Sequence, residues 1–272
     1  MTYSYGKKLP AAITGVTAVI PEGIHLLAGE NGAGKTTMLH LLAGVSRPQA
    51  GSVRVNGSDP ASNRPSEMGK TFLLEENTHF PGRTIREFAQ VHSTFYPGFS
   101  DRQFAENLVA FGMSGDEPMK RLSLGNRKKA QLAYVLALGV EVLLLDEPTN
   151  ALDIESKQAL RKMMAANLRD DQTVIVATHT VSELDKLYDG AMILTRSVLQ
   201  LAATEEAVAR RLAFTVTGTP DPDALYSESQ IGRALNILEA TDDEDTRVDW
   251  RLLYSALHSP NRERVLQAIF KN

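Results

Sequence analysis

Apolar positions along the first 200 residues follow two different periods, which predict strands and helices in turn. Apolar runs or short alternations that are typical of strands occur at 16–20, 24–28, 53–55, 142–145, 174–177 and 192–194. Apolar residues at helical spacing occur at 35–43, 124–138, 154–168 and 181–188. Strands that alternate with helices predict an α/β core with a mainly parallel sheet, and continuous apolar strands suit a sheet that is covered on both faces.

Two further regions depart from this alternation. Residues 84–112 predict two helices separated at Pro97-Gly98, and with the helix that follows they form a predicted helical insert at about 84–138. After about residue 198, a Gly- and Pro-containing segment and an acidic run at 242–245 precede a short amphipathic ending at 250–270. We therefore predict a main domain at 1–200 and a small C-terminal appendage at 201–272.

Composition narrows the classes of function. The chain has 272 residues, with 29 Lys and Arg against 33 Asp and Glu, so its net charge of −4 makes nucleic acid an unfavourable partner. Cysteine is absent, which excludes disulfides, thiolate metal sites and cysteine nucleophiles. The longest apolar stretch, 130–145, is interrupted by Gln131 and Glu141, and no secretory signal is visible, so we expect a cytoplasmic chain without a transmembrane helix.

A glycine-rich loop between a predicted strand and a predicted helix carries the first candidate chemistry. It matches the pattern G-x-x-x-x-G-K-[ST], in which backbone N–H groups and the start of the helix surround a phosphate. In this pattern Lys35 reaches the β- and γ-phosphates, and the Thr36 hydroxyl holds Mg²⁺. The loop and the residue after it are Gly29, Glu30, Asn31, Gly32, Ala33, Gly34, Lys35, Thr36 and Thr37.

Two acids follow the buried strand at 142–145. In an open α/β sheet the carboxyl ends of the strands face the ligand crevice. We therefore expect Asp146 to orient Mg²⁺ through water and Glu147 to polarise the water that attacks ATP. Phosphoryl transfer depends mainly on positioning and charge stabilisation, which these groups supply together with the phosphate loop.

Taken together, the segments 29–36, 122–126, 142–148, 151–153 and 178–179 resemble the nucleotide-binding domain of ATP-binding cassette (ABC) proteins. The resemblance covers about residues 1–200. It implies a P-loop NTPase core with a mainly parallel sheet, a helical insert subdomain and an antiparallel β subdomain. It also implies that two cassettes enclose two ATP molecules, each bound by the phosphate loop of one and the signature segment of the other.

The signature segment is Leu-Ser-Leu-Gly-Asn at 122–126, where the family usually has Leu-Ser-Gly-Gly-Gln. The resemblance assigns Ser123 and Gly125 to ATP binding, while Leu124 and Asn126 are departures. Ser123 is also a suitable N-cap for the helix that follows, and the two roles are compatible because a capped helix start attracts anions.

The resemblance assigns four further residues. His179 matches the switch histidine that contacts the γ-phosphate. Asp153 matches a loop that crosses the dimer interface, although it is equally suited to cap the next helix. Glu75 stands where the family has a glutamine that senses Mg²⁺, so we include it as a metal ligand. Tyr5 matches an aromatic that stacks on adenine, with Tyr3 as a competitor.

The implied function is that of a Mg²⁺-dependent ATPase subunit that drives a separate membrane permease, located on the inner face of the cell membrane through that partner. The short insert and the tail resemble exporter-type subunits, which makes export the preferred direction. Aromatic side chains at the groove between the Glu75 segment and the insert are candidates for permease docking, or else for the insert's own core: Phe80, Phe88, Phe95, Tyr96 and Phe99. An importer subunit and a regulatory ATPase outside transport remain alternatives.

Overall fold

The computed structural model describes residues 1–6, 8–62, 69–184, 186–241 and 247–271. The central sheet has six strands in the order β2-β3-β4-β1-β5-β6. They are β1 (Gly23–Ala28), β2 (Thr71–Leu74), β3 (Val142–Asp146), β4 (Thr173–Thr178), β5 (Gly190–Thr195) and β6 (Val198–Thr204). All neighbouring pairs are parallel except β5 and β6, so the predicted mainly parallel sheet is confirmed.

The sheet separates two apolar cores. In β3, Leu143 and Leu145 belong to one core, while Val142 and Leu144 belong to the other. Successive side chains of a strand point to opposite faces, so a strand that is covered on both sides must be apolar throughout. On one face α1 (Lys35–Leu42) packs against the sheet, and α5 (Ile154–Asn167) contributes Leu160 and Met164 to the other core.

The predicted helical insert contains α2 (Ile85–His92), α3 (Asp101–Ala110) and α4 (Leu124–Val135), with 3₁₀ turns at Ser93–Phe95 and Met119–Arg121. Phe80 and Phe88 are buried and stacked, with ring centroids 4.3 Å apart, so these two aromatics belong to the insert's own core. Phe95 is 62% exposed and remains a candidate for docking. None of the helices in the described ranges has the length and apolar character that a membrane span requires.

The C-terminal region adds a second, antiparallel sheet in the order β7-β9-β8. Its elements are α6 (Glu205–Ala209), β7 (Leu212–Thr217), β8 (Tyr226–Gln230), β9 (Arg233–Glu239), α7 (Trp250–Leu257) and α8 (Arg262–Phe270). Helix α7 contacts the 3₁₀ helix Val181–Leu184, which follows His179 in the chain. The boundary predicted at residue 200 falls within β6, and the division into domains stays a prediction. The acidic run at 242–245 lies outside the described residues.

Three predicted elements are wrong or shortened. Residues 16–20 form no strand, and Val19 is 93% exposed. The segment at 53–55 keeps a single bridge, from Val55 to Ser58 across Asn56 and Gly57. The helix predicted at 181–188 is reduced to the 3₁₀ helix Val181–Leu184. An apolar run becomes a strand only where a neighbouring strand completes its hydrogen bonds, and local pattern does not report that neighbour.

Candidate functional site

The phosphate loop joins the end of β1 to the start of α1, as its sequence predicts. Gly34 is the N-cap of α1 with φ of 107°, and a Cβ there would lie 2.5 Å from the backbone oxygen of Ala12. Only glycine satisfies both this backbone conformation and this close approach. No side chain caps the start of α1, so the first N–H groups of the helix are available to an anion.

Lys35 lies beneath this loop with its side chain buried. Its ammonium donates to the backbone oxygen of Gly29 at 2.7 Å and to that of Glu30 at 3.3 Å. The same nitrogen lies 3.8 Å from Oε1 of Glu147. Burial lowers the pKa of Lys35, and the carboxylates of Glu147 and Asp146 oppose that shift. The lysine is thus held between the phosphate loop and the two acids at the carboxyl end of β3, Asp146 and Glu147.

Thr36 and Asp146 form a pair of oxygen donors beside the loop. The Thr36 hydroxyl donates to Oδ2 of Asp146 at 2.6 Å. Burial raises the pKa of Asp146, while the hydrogen bond from Thr36 and the charge of Lys35 lower it. A hydroxyl and a carboxylate are ligands that Mg²⁺ accepts, usually one or two from the protein with the rest from phosphates and water. The residues present therefore fit a magnesium site of this kind.

Glu147 and His179 meet because their strands are neighbours. Asp146 pairs with Ala177 in the parallel register of β3 and β4, so the residues just beyond both strands lie side by side. The Glu147 carboxylate accepts from the Thr178 hydroxyl at 3.0 Å and from the His179 N–H at 3.1 Å, and it lies 2.8 Å from His179 Nδ1. Glu147 has φ of 45°, a left-handed conformation that is uncommon outside glycine and frequent at functional sites.

The phosphate loop, the Thr36–Asp146 pair and Glu147 surround a cavity of about 330 Å³, while His179 lies outside its lining. Its lining residues are Tyr5, Ala12, Glu30, Asn31, Gly32, Gly34, Lys35, Thr36, Thr37, Glu76, Asp146 and Glu147. Tyr5 lies at the rim, where its hydroxyl is 2.9 Å from Oγ1 of Thr37 and its ring is 59% exposed. Gly29 and Ala33 support the loop from behind, since a Cβ at Gly29 would lie 2.7 Å from the backbone oxygen of Leu194.

Ser123, Gly125 and Asp153 do not line this cavity. The Ser123 hydroxyl accepts from the N–H of Asn126 at 3.2 Å, and Asp153 accepts from the N–H of Ser156 at 2.8 Å, so each residue is the N-cap of its helix. Asp153 also accepts from Lys129 at 3.0 Å. The hydrogen bonds from Ser156 and, to a smaller extent, the hydrogen bond from Lys129 lower the pKa of Asp153 to about 2. The caps are confirmed, while the roles of these residues toward a second cassette stay predictions.

Of the two glutamates after β2, Glu76 lines the cavity and Glu75 does not, whereas the sequence pointed to Glu75. The Glu75 carboxylate lies 2.6 Å from Nε2 of His40. Glu76 lines the cavity, and its carboxylate accepts from the Asn150 side chain at 2.8 Å. The Thr78 N–H donates to the backbone oxygen of Glu75 at 3.2 Å, so the two glutamates lie at a turn after β2, and the fold around that turn decides which of them faces the cavity. The geometry favours Glu76 over Glu75 as the acid near a bound metal.

Comparison with known proteins places this site in a family. A family model described as ABC transporter matches residues 15–150. An ABC transporter ATP-binding protein of Caldanaerobacter subterraneus subsp. tengcongensis is 31% identical over 206 residues, which cover 71% of this chain and 85% of that protein.

Two transport proteins whose names state a substrate are also similar. A lantibiotic transport ATP-binding protein of Streptococcus pyogenes is 28% identical over 78% of this chain and 94% of its own length. An arabinose import ATP-binding protein of Azospirillum brasilense is 32% identical over 61% of this chain. The chain spans 34% of the length of that arabinose protein and 59% of a sulfate/thiosulfate import relative from Shewanella oneidensis.

Solved structures share the fold. The ATP-binding subunit of an ABC transporter has a TM-score of 0.67 at 22% identity and covers 75% of this chain and 88% of its own. A dimeric cassette bound to ADP and phosphate has a TM-score of 0.60 at 23% identity, over 75% of this chain and 94% of its own.

Proposed function

This chain belongs to the ABC transporter family as an ATP-binding subunit, and from that premise we propose that it hydrolyses ATP to drive a separate membrane permease. One observation carries the proposal: the phosphate loop, the Thr36–Asp146 pair and Glu147 converge on the same cavity. In an ordinary glycine-rich turn the lysine would lie at the surface. Here Lys35 is buried, and its ammonium lies 3.8 Å from the carboxylate of Glu147, which follows a strand two positions away in the sheet.

The loop and Lys35 bind the triphosphate. Backbone N–H groups at the start of α1 donate to phosphate oxygens, and the Lys35 ammonium moves its hydrogen bonds from the Gly29 and Glu30 carbonyls to the phosphates. Thr36 and Asp146 would hold Mg²⁺, with Glu76 as the nearby acid. The metal, when bound, compensates the charge of the phosphate oxygens. Tyr5 lies at the rim, where its ring can stack on the base.

Glu147 and His179 act on the attacking water. Glu147 accepts a hydrogen bond from that water and takes its proton as the water oxygen bonds to the γ-phosphorus and the bond to the β-phosphate oxygen breaks. Thr178 and His179 fix the carboxylate through three contacts, so the water is oriented before reaction. The products are ADP and phosphate. Before this step, the half-exposed His179 contacts the γ-phosphate through Nε2, while its Nδ1 stays at Glu147.

A second cassette completes the site in this proposal. Ser123, Gly125 and Asp153 lie outside the chain's own cavity, and the start of α4 presents an exposed serine at a helix N-terminus. Such a group suits the phosphates of a nucleotide held by another copy. The dimeric form of the similar cassette bound to ADP and phosphate supports the same arrangement.

We propose that the permease is a separate integral membrane chain, that it holds this subunit at the inner face of the cell membrane, and that the direction of transport is export. The lantibiotic transport relative, which this chain matches over 94% of its length, supports a short single-cassette subunit. The arabinose import relative, of which the chain spans 34%, supports the alternative of import. A solute-binding protein encoded beside this gene would decide for import.

Substitution of Glu147 by glutamine tests the proposal. We expect a loss of steady-state ATP turnover of at least about 100-fold, since a positioned general base contributes about 10²–10⁴-fold. ATP binding, measured by calorimetry with Mg²⁺, is expected to persist, as is ATP-dependent dimerisation measured by light scattering. Glu22→Gln, at an exposed turn before β1, is the matched control. Turnover in Glu147→Gln close to that of the control would remove the role assigned to Glu147.

A further inference from the structure

A buried lysine lies behind the nucleotide cavity. Lys128 is in α4, five residues after Ser123, and only 3% of it is exposed. Its ammonium has no hydrogen-bond partner among the described residues. Lysine is almost never fully buried unless its charge is paired, because removing an ammonium from water is unfavourable. An unpartnered ammonium at this depth therefore requires an explanation.

The charges that act on Lys128 belong to the nucleotide site. Burial lowers the pKa of its side chain, and the carboxylates of Glu76, Asp146 and Glu147 oppose that shift. All three acids line the cavity, whereas Lys128 does not. Because Lys128 is buried and lies outside the cavity lining, its ammonium acts on these acids from inside the protein, behind the cavity wall to which they belong. It attracts them through space rather than by a direct hydrogen bond.

The surroundings keep the lysine in this place. One turn along α4, the Gln131 side chain donates to the backbone oxygen of Thr78 at 2.6 Å, which ties the helix to the segment that carries Glu76. Asn150, in the loop after Glu147, donates to the Glu76 carboxylate at 2.8 Å. In α4, all residues from Ala130 to Val135 are buried. The helix therefore cannot rotate to bring Lys128 to solvent without exposing the core.

We propose that Lys128 is a positioning residue of the nucleotide site, a fixed cation behind Glu76, Asp146 and Glu147 that strengthens ATP binding and weakens Mg²⁺ binding. This inference rests on the proposed function, because it concerns the same cavity. With Glu30, four carboxylates line the cavity and would face the triphosphate, and Lys35 alone offsets only one of their charges. With Lys128, the site repels ATP less and attracts a divalent cation less.

The inference sets opposite expectations for binding and for folding. Without the Lys128 charge, ATP should bind more weakly, most of all in the absence of metal, and Mg²⁺ should bind more tightly. The nucleotide-free protein should be at least as stable, because a buried charge whose pKa is lowered by burial destabilises the fold. A lysine that served only to pack the core would show neither binding effect.

The test compares Lys128→Met with Lys120→Met, an exposed lysine that provides the same change of net charge. Calorimetry gives ATP affinity in EDTA and in saturating Mg²⁺, and a Mg²⁺ titration at saturating ATP gives the metal midpoint. For Lys128→Met we expect about a tenfold loss of metal-free ATP affinity, a Mg²⁺ midpoint about threefold lower, and an unchanged or higher melting temperature. Lys120→Met should match the wild type in each measurement.

The outcomes separate the inference from the proposed function. If the wild type binds ATP, and Lys128→Met binds it within twofold with an unshifted Mg²⁺ midpoint, the inference is wrong and the proposed function is untouched. If the wild type fails to bind ATP, both are wrong. If Lys128→Met does not fold, a comparison of ATP affinity between Lys128→Arg and Lys128→Gln tests the inference instead. Arginine is expected to preserve the metal-free affinity that glutamine loses, and equal affinities would overturn the inference.

Discussion

Replacing Gly125 by alanine perturbs the contact between the signature segment and the loop after Glu147. A Cβ at Gly125 would lie 2.6 Å from the backbone oxygen of Ala151, a distance that real Cβ contacts do not reach. Ala151 has little freedom to withdraw, because its φ is 64° and Leu152, the next residue, donates its N–H to the backbone oxygen of Thr149 at 3.1 Å. The substitution must therefore separate α4 from this loop.

Two effects of the alanine oppose each other. Alanine favours a helix over glycine by about 1 kcal/mol, and the second residue of α4 gains that amount. Forcing an extra carbon into a tight contact costs about 1–3 kcal/mol. The net expectation is a destabilisation of about 1 kcal/mol, which corresponds to a fall in melting temperature of about 3 °C for a chain of this size.

Differential scanning calorimetry provides the assay, with Asn126→Ala as the control. Asn126 is exposed on the same turn of α4. It bonds to the Ser123 hydroxyl through its backbone N–H and not through its side chain, so Asn126→Ala keeps the N-cap and raises the helix propensity. In the proposed dimer, Gly125→Ala should also lower ATP turnover while leaving ATP affinity of the isolated chain unchanged. If Gly125→Ala melts at or above the temperature of Asn126→Ala, the contact relaxes freely and the argument is refuted.

Three further predictions concern the acids. Thr36→Val removes a hydrogen bond that lowers the pKa of Asp146, so the acid limb of the pH–turnover profile should move to higher pH. The cap formed by Asp153 stabilises the fold fully above the unfolded pKa of about 4 and is lost as pH falls toward about 2, so chemical denaturation should show a smaller effect of Asp153→Ala at pH 3 than at pH 7. Glu76→Gln should raise the Mg²⁺ concentration for half-maximal turnover more than Glu75→Gln does, and the reverse order would restore Glu75 as the metal-sensing acid.

Local sequence determined the parts of the site that adjoin one strand end or one helix start. The phosphate loop requires glycine where φ is 107°, and a helix must follow at once, so a short motif defines it. Asp146 and Glu147 can be identified from sequence because a strand that is covered on both faces is apolar, so two acids at its carboxyl end stand out. The N-caps Ser123 and Asp153 are equally local, since each bonds to an N–H three residues on.

Tertiary structure decided which side chains face the cavity and which apolar segments pair as strands of a sheet. Glu75 and Glu76 are identical in type, and only the placement of His40 and Asn150 directs one away and the other inward. The run at 16–20 has the composition of a strand but no ladder partner in the described ranges. Lys128 reads as one of three successive basic residues at the start of a helix until packing buries it behind the acids. Side-chain direction and charge environment depend on contacts between residues far apart in the chain, and local pattern carries no record of those contacts.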